Sequence, residues 1–266
     1  MPGTGCGKVG AQSSHLQCQA LVADNPAAWP VGTRTIGRIR GRSVAVAVIA
    51  ASLPLILIGN AVHVIAHPWF VGVELDRTGP DAYGMPDGDR GRLAETALDS
   101  IVPFGDGDGV LRQARLPGGG TAFDPKERRH LDSVRSYLLG LYAIHAVGLA
   151  ALAALLLVPR TRRLARDGVT AGAVWTLAIA AFVGVYVAVA PVSFLGGFHR
   201  LFFSGDSWRF ADTETLRRLF PDAFWSDTAL VLGALVAAQA AVLLAAALAW
   251  HRQAIRAAPR TAAHAP

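Results

Sequence analysis

The chain has 266 residues, 52% of them apolar, with 25 Lys and Arg against 19 Asp and Glu. Mean hydropathy is +0.37 and the pI is about 10.0. This is too apolar for an ordinary soluble domain, and the basic excess lies along membrane edges rather than in one soluble patch, which argues against a nucleic-acid partner.

Residues 1–42 show no apolar periodicity and are expected to form a disordered cytoplasmic tail. Cys6 and Cys18 both lie there, without metal-ligand spacing, and read as free thiols. The first apolar run covers residues 43–66, long enough to cross a bilayer, which takes about 20 residues. It is too long for a cleavable signal peptide, and residues 64–68 offer no small-x-small site. Three further runs follow at 137–158, 169–191 and 228–250, and none of the four contains Asp, Glu, Lys or Arg.

Arginine sets the orientation. Arg34, Arg38, Arg40 and Arg42 precede the first run. Arg160, Arg162, Arg163 and Arg166 fill the loop at 159–168, and Arg252, Arg256 and Arg260 occupy the tail at 251–266. Arginine-rich short loops mark the cytoplasmic side of a plasma membrane, so both termini are expected inside and residues 67–136 and 192–227 outside.

Within the first outward segment, Leu93, Ala97, Leu98 and Ile101 share one face of an amphipathic helix over 93–102. Asp106 and Asp108 sit in a glycine-rich turn and lack a later oxygen ligand at calcium-loop spacing. Residues 110–116 and 121–123 flank Pro117-Gly118-Gly119-Gly120 and suggest a hairpin. Asp124, Pro125 and Glu127 then read as N-cap, N1 and N3 of a helix that runs through His130 into the second span. The second outward segment is dense in aromatic residues and is expected to lie along the outer surface. There Asp212 should cap a helix over 213–220, Pro221 stop it, and Ser226 or Asp227 cap the fourth span. The fold class is therefore an all-α membrane protein with four transmembrane helices and a small mixed α+β extracytoplasmic insertion.

The second and third spans, joined by a short loop, make an antiparallel hairpin whose open ends carry His130 and His199. Two imidazoles on one side of the bilayer can act as base and acid near neutral pH. Phe198, Phe202, Phe203 and Trp208 cluster beside His199 as interface anchors or as the walls of an apolar groove for an acyl chain, and Arg135 and Arg200 are interface charges or ligands for a carbonyl oxygen or developing oxyanion. His63 and His145 lie inside spans. Structural hydrogen bonding accounts for them, or they are axial ligands of a haem in a membrane electron carrier.

Two motifs carry a family resemblance. Glu127-Arg128-Arg129-His130-Leu131-Asp132-Ser133-Val134-Arg135 is similar to an acidic-then-His motif followed by an Asp-Val-basic triplet. Phe198-His199-Arg200-Leu201-Phe202-Phe203, then Trp208, then Leu219-Phe220-Pro221-Asp222-Ala223-Phe224, is similar to a Phe-His-x-x-Phe-Phe run with a following Trp, helix and Phe-Pro-x-x-Phe. Together with the four spans these resemble the lipoprotein intramolecular transacylases of bacteria. Ser133 stands where the family's Asp is expected, with Asp132 one place earlier and about 100° around the helix.

The resemblance implies a membrane acyltransferase. It would move an acyl chain from the sn-2 ester of a diacylglyceryl-modified lipoprotein to the α-amino group of the same cysteine, with His130 and His199 as catalytic residues. Ester to amide is downhill, and no phosphate-binding glycine loop is present, so neither cofactor nor metal is expected. The expected partners are such lipoproteins and membrane lipid. A non-catalytic membrane assembly protein of the same fold is the other reading.

Overall fold

The computed structural model describes residues 33–256, with side chains over 41–253. The tail expected over residues 1–32, its two cysteines and the last residues including Arg260 lie outside the described residues. Nine helices form in chain order: α1 (Thr33–Ile65), α2 (Pro68–Thr78), α3 (Asp87–Ile101), α4 (Asp108–Gln113), α5 (Pro125–Leu157), α6 (Arg162–Val189), α7 (Pro191–Phe202), α8 (Thr215–Leu219) and α9 (Asp222–Arg256) among those residues. Four of them, α1, α5, α6 and α9, are long and apolar enough to cross a membrane. Residues 33–42, expected in the tail, are helical and belong to α1.

The helices outrun the apolar segments because charged turns extend them. Lys126 to Arg135 form the first turns of α5, and its apolar run begins only at Tyr137. Those turns, and His130 with them, precede the apolar run. The expected hairpin over 110–123 reduces to a single bridge between Arg115 and Thr121, with no strand among the described residues. The insertion is thus helical rather than mixed α+β. The reason is local: Asp108 starts α4 directly after Gly107, and Gly119, at φ 89°, closes the remaining glycine-rich stretch as a tight turn.

Within the apolar layer, α1 is central. Leu53, Leu57 and Ala61 of α1 are buried against Val169 and Ala173 of α6 and Val236 and Ala240 of α9. Small residues permit the approach: a Cβ on Gly172 would lie 2.9 Å from the Leu53 side chain, and one on Gly59 would lie 2.5 Å from the His145 ring. A hydrogen-bond chain crosses three helices here. His145 Nε2 donates to Asn60 Oδ1 at 2.9 Å, and Asn60 Nδ2 donates to Gln239 Oε1 at 2.9 Å. Gln239 Nε2 ends the chain on the Leu57 and Leu235 carbonyls.

This geometry decides the role of the intramembrane histidines. The His63 and His145 rings sit 5.4 Å apart, His63 stacks on Tyr142 at 4.2 Å, and His145 spends Nε2 on Asn60. Ligation of a metal through His145 Nε2 would have to break the bond to Asn60, so structural hydrogen bonding is the reading this geometry favours.

A second core lies beyond the apolar layer. Leu93, Ala94 and Ala97 of α3 are buried against Leu75 of α2, Leu111 of α4, Leu131 of α5, Leu216 and Leu219 of α8 and Phe224 of α9. This compact cap positions the ends of α5, α7 and α9 around one cavity.

Candidate active site

His130 is held by an over-determined helix start. Asp124 Oδ1 accepts the N–H groups of Lys126 and Glu127, each at 2.7 Å, while the Asp124 N–H donates to Glu127 Oε2 at 2.8 Å. The reciprocal pair is a capping box with Pro125 at N1. Glu127 is buried, and its Oε1 also accepts the Leu216 N–H at 2.6 Å, tying α8 to the start of α5. One turn later His130 enters an aromatic enclosure, with Phe203 at 4.6 Å and Phe210 at 5.3 Å between ring centroids. Its Nδ1 is buried without a hydrogen-bond partner.

His199 rides on α7, a helix absent from the sequence-based expectation. Pro191, which reads in sequence as the end of the third span, is instead the first residue of a new helix after Ala190. His199 Nδ1 lies 2.9 Å from the Leu195 carbonyl, which can only accept, so Nδ1 carries the hydrogen and Nε2 the lone pair. Trp208 stacks on the ring at 4.8 Å. The His130 and His199 rings face each other at 6.2 Å with 21° between their planes. Burial, with the neighbouring charges of His199 and Lys126, pushes His130 down to about 4. Burial also lowers His199, against the Leu195 hydrogen bond and the Asp222 charge. Burial thus favours the neutral form of both rings.

The two histidines line one cavity of about 840 Å³. Arg200, Trp208, Arg209, Arg217 and Asp222 share its polar side, while Ile65, Phe70, Leu98, Ile101 and Val134 form an apolar wall. Of the residues expected around the site, Arg200 and Trp208 line it, and Phe203 packs against both histidines. Phe198 and Phe202 turn outward at 47% and 38% exposure, Phe202 against Tyr137. Arg135 is engaged elsewhere: Nη1 donates to the Ser100 and Val102 carbonyls and Nη2 to that of Gly105. Neither Ser133 nor Asp132 meets His130. Ser133 Oγ donates to the Arg129 carbonyl within the helix, and Asp132 is exposed.

Arg217 and Asp222 are site residues that the sequence does not announce. Arg217 reaches both Asp222 oxygens, with Nη2 at 2.8 Å from Oδ2, and its Nε contacts Asp212 at 3.2 Å. Asp212 therefore pairs with Arg217 rather than capping a helix, α8 spans only Thr215–Leu219, and α9 starts at Asp222 instead of Ser226 or Asp227. An acidic residue directly after Pro221, within an aromatic run, is the one local signal for it.

Two neutral imidazoles at one cavity can relay protons between two groups of a single substrate, with an apolar wall beside them for hydrocarbon. Comparison with known proteins bears on what that substrate is. Residues 47–225 match the family of the lipoprotein intramolecular transacylase Lit. An uncharacterised protein of Aquifex aeolicus (strain VF5) is 24% identical over 185 residues, 68% of this chain and 83% of that protein. The integral membrane lipoprotein intramolecular transacylase Lit of Bacillus cereus superposes with a TM-score of 0.66 at 16% identity, over 80% of this chain and 99% of that one. A variant of that protein with one histidine replaced by arginine gives 0.63 at 15% identity, over 84% and 97%.

Proposed function

The chain belongs to the family of lipoprotein intramolecular transacylases, and from that premise we propose that in this member His130 and His199 carry the transfer. The acyl chain leaves the sn-2 ester oxygen of a diacylglyceryl-cysteine and joins the α-amino nitrogen of the same cysteine. The nitrogen attacks the ester carbonyl carbon, the C–N bond forms and the C–O bond breaks. Nitrogen gives up one proton and the glyceryl oxygen gains one, so the step balances without a co-substrate.

His199 suits the base, because its Nδ1–H is committed to Leu195 and leaves the Nε2 lone pair. His130, whose Nδ1 is buried without a partner and whose ring lines the cavity, suits a hydrogen-bond donor to the carbonyl oxygen, while the proton that His199 takes from nitrogen passes to the leaving glyceryl oxygen. Donor and acceptor groups sit on one substrate, so binding contributes mainly orientation. Arg200, which lines the cavity, suits a carbonyl oxygen. The membrane orientation that goes with this reading has both termini in the cytoplasm and the site at the outer leaflet, supported by the arginines around residues 34–42, 160–166 and 252–260. Those arginines then serve orientation, not nucleic-acid contact.

The observation that carries the proposal is the near-parallel pair of imidazoles, 6.2 Å apart, at one cavity. Mass spectrometry of lipoprotein N-termini tests it. Cells with the wild type should hold N-acylated lyso-form lipoprotein, and cells with His130→Ala or His199→Ala should hold only the diacylglyceryl form. Full product from both single variants would refute the assignment.

A further inference from the structure

Phe104 and Trp69 are exposed aromatic residues of the cap, as is Tyr83, and the first two lie near an end of an apolar helical run. Residues 102–105 close a turn in which the Gly105 N–H donates to the Val102 carbonyl at 3.2 Å, with Pro103 and Phe104 at its centre. The turn is rigid. Pro103 restricts its own φ, and Gly105 sits so close under the end of α3 that a Cβ there would lie 1.8 Å from the Asp99 carbonyl oxygen. Arg135 clamps the turn through the Ser100, Val102 and Gly105 carbonyls. Phe104 projects from this mount at 103% exposure.

Arg135 also sets the height of the turn. The apolar run of α5 begins at Tyr137, about 3 Å further along the axis at 1.5 Å per residue. Trp69 stands at a second crossing, because α2 starts at Pro68 directly after α1 ends at Ile65. It is 53% exposed, whereas its neighbour Phe70 is buried and lines the cavity. Ile101, just before the Phe104 turn, lines the same apolar wall. Each exposed ring thus lies within about three residues in sequence of a residue that lines the wall.

We infer that Phe104 and Trp69 are lipid-inserting posts: they enter the headgroup–acyl boundary of the leaflet on the site's side and hold the apolar wall of the cavity against it. Aromatic rings at that depth exchange water for hydrocarbon while keeping their edges near the headgroups. The partner is the lipid surface, since a rigid single ring at bilayer height needs no protein groove. Depth is limited to the ring itself, because Asp99 and Asp106 lie beside the turn, the Asp106 N–H donating to Asp99 at 3.4 Å. The inference goes beyond the transfer reaction and does not depend on it.

The test uses full-length protein with Cys6→Ser and Cys18→Ser, carrying a nitroxide on Phe104→Cys, Trp69→Cys or, as control, Gly118→Cys at the exposed loop. Reconstitution is into vesicles of phosphatidylcholine and phosphatidylglycerol. Collision rates with oxygen should exceed those with a water-soluble nickel chelate at positions 104 and 69, and the order should reverse at 118. A reading at 104 or 69 as aqueous as that at 118 overturns the inference. Collision rates report depth alone, so protein without transfer activity tests the inference equally well.

Discussion

Glu127 Oε1 accepts the backbone N–H of Leu216 at 2.6 Å, and its Oε2 accepts that of Asp124 at 2.8 Å. One carboxylate thus joins the start of the helix bearing His130 to the short helix that leads, through Arg217, to Asp222. Burial pushes Glu127 up from 4.5 to about 7, although both backbone donors favour its charged form. A carboxyl raised on folding contributes stability that is complete below pH 4.5 and lost as pH rises to about 7. Thermal melting in detergent should therefore fall across that window, and Glu127→Gln should flatten the fall. Parallel pH profiles for wild type and variant would exclude this coupling.

The titration of His130 should show its surroundings. Burial first, then the charges of His199 and Lys126, holds His130 near 4. Its ring resonances, followed by NMR in detergent, should accordingly titrate below the ordinary histidine value of about 6.5. Lys126→Met removes a positive charge next to His130, so that titration should move to higher pH. A titration unmoved by this substitution would mean that the Lys126 charge does not reach the ring.

Trp208 stacks on His199 at 4.8 Å. Such ring pairs are worth about 0.5–1.5 kcal/mol, equivalent to roughly 2–10-fold in rate if the stack is needed to align the base. Trp208→Phe should keep most of kcat, whereas Trp208→Ala should lower it by about that factor with little change in KM. Equal rates in both variants would leave the stack without a role in turnover.

Arg135 makes three hydrogen bonds to backbone carbonyls at the end of α3 and the following turn. Hydrogen bonds from a charged donor contribute about 1.5–3 kcal/mol, so Arg135→Ala should lower stability by about 2 kcal/mol. The unfolding midpoint in detergent checks this. A variant with wild-type stability but altered KM would place Arg135 on the substrate after all.

Orientation is open to a direct check. A reporter fused after Arg92 should behave as extracytoplasmic and one after Arg163 as cytoplasmic. The opposite pattern at either site would invert the topology.

Local chemistry is legible in the sequence wherever a short stretch decides the outcome by itself. Asp124, Pro125 and Glu127 contain all that a capping box needs, and they form one. The antiparallel hairpin of the second and third apolar runs likewise brings His130 and His199 to one end, where their rings face each other. What escapes depends on partners distant in sequence. Arg135 meets carbonyls thirty or more positions earlier, as in the bond to Val102. The outward turn of Phe198 and Phe202 depends on α7, whose onset at Pro191 resembles the end of a span. Asp222 looks like part of an aromatic loop, because nothing local shows that Arg217 will face it from α8.

The two histidines are mounted unequally. His130 belongs to a helix capped by Asp124 and pinned to α8 through Glu127, with Leu131 next to it in the core. His199 sits on α7, where no residue is more than partly buried. Helices with few buried contacts are the first to shift when a structure loosens. Any parting of the rings to admit a substrate is then a displacement of the proposed base away from a stationary partner: one jaw of the vice is fixed, and the other does the travelling.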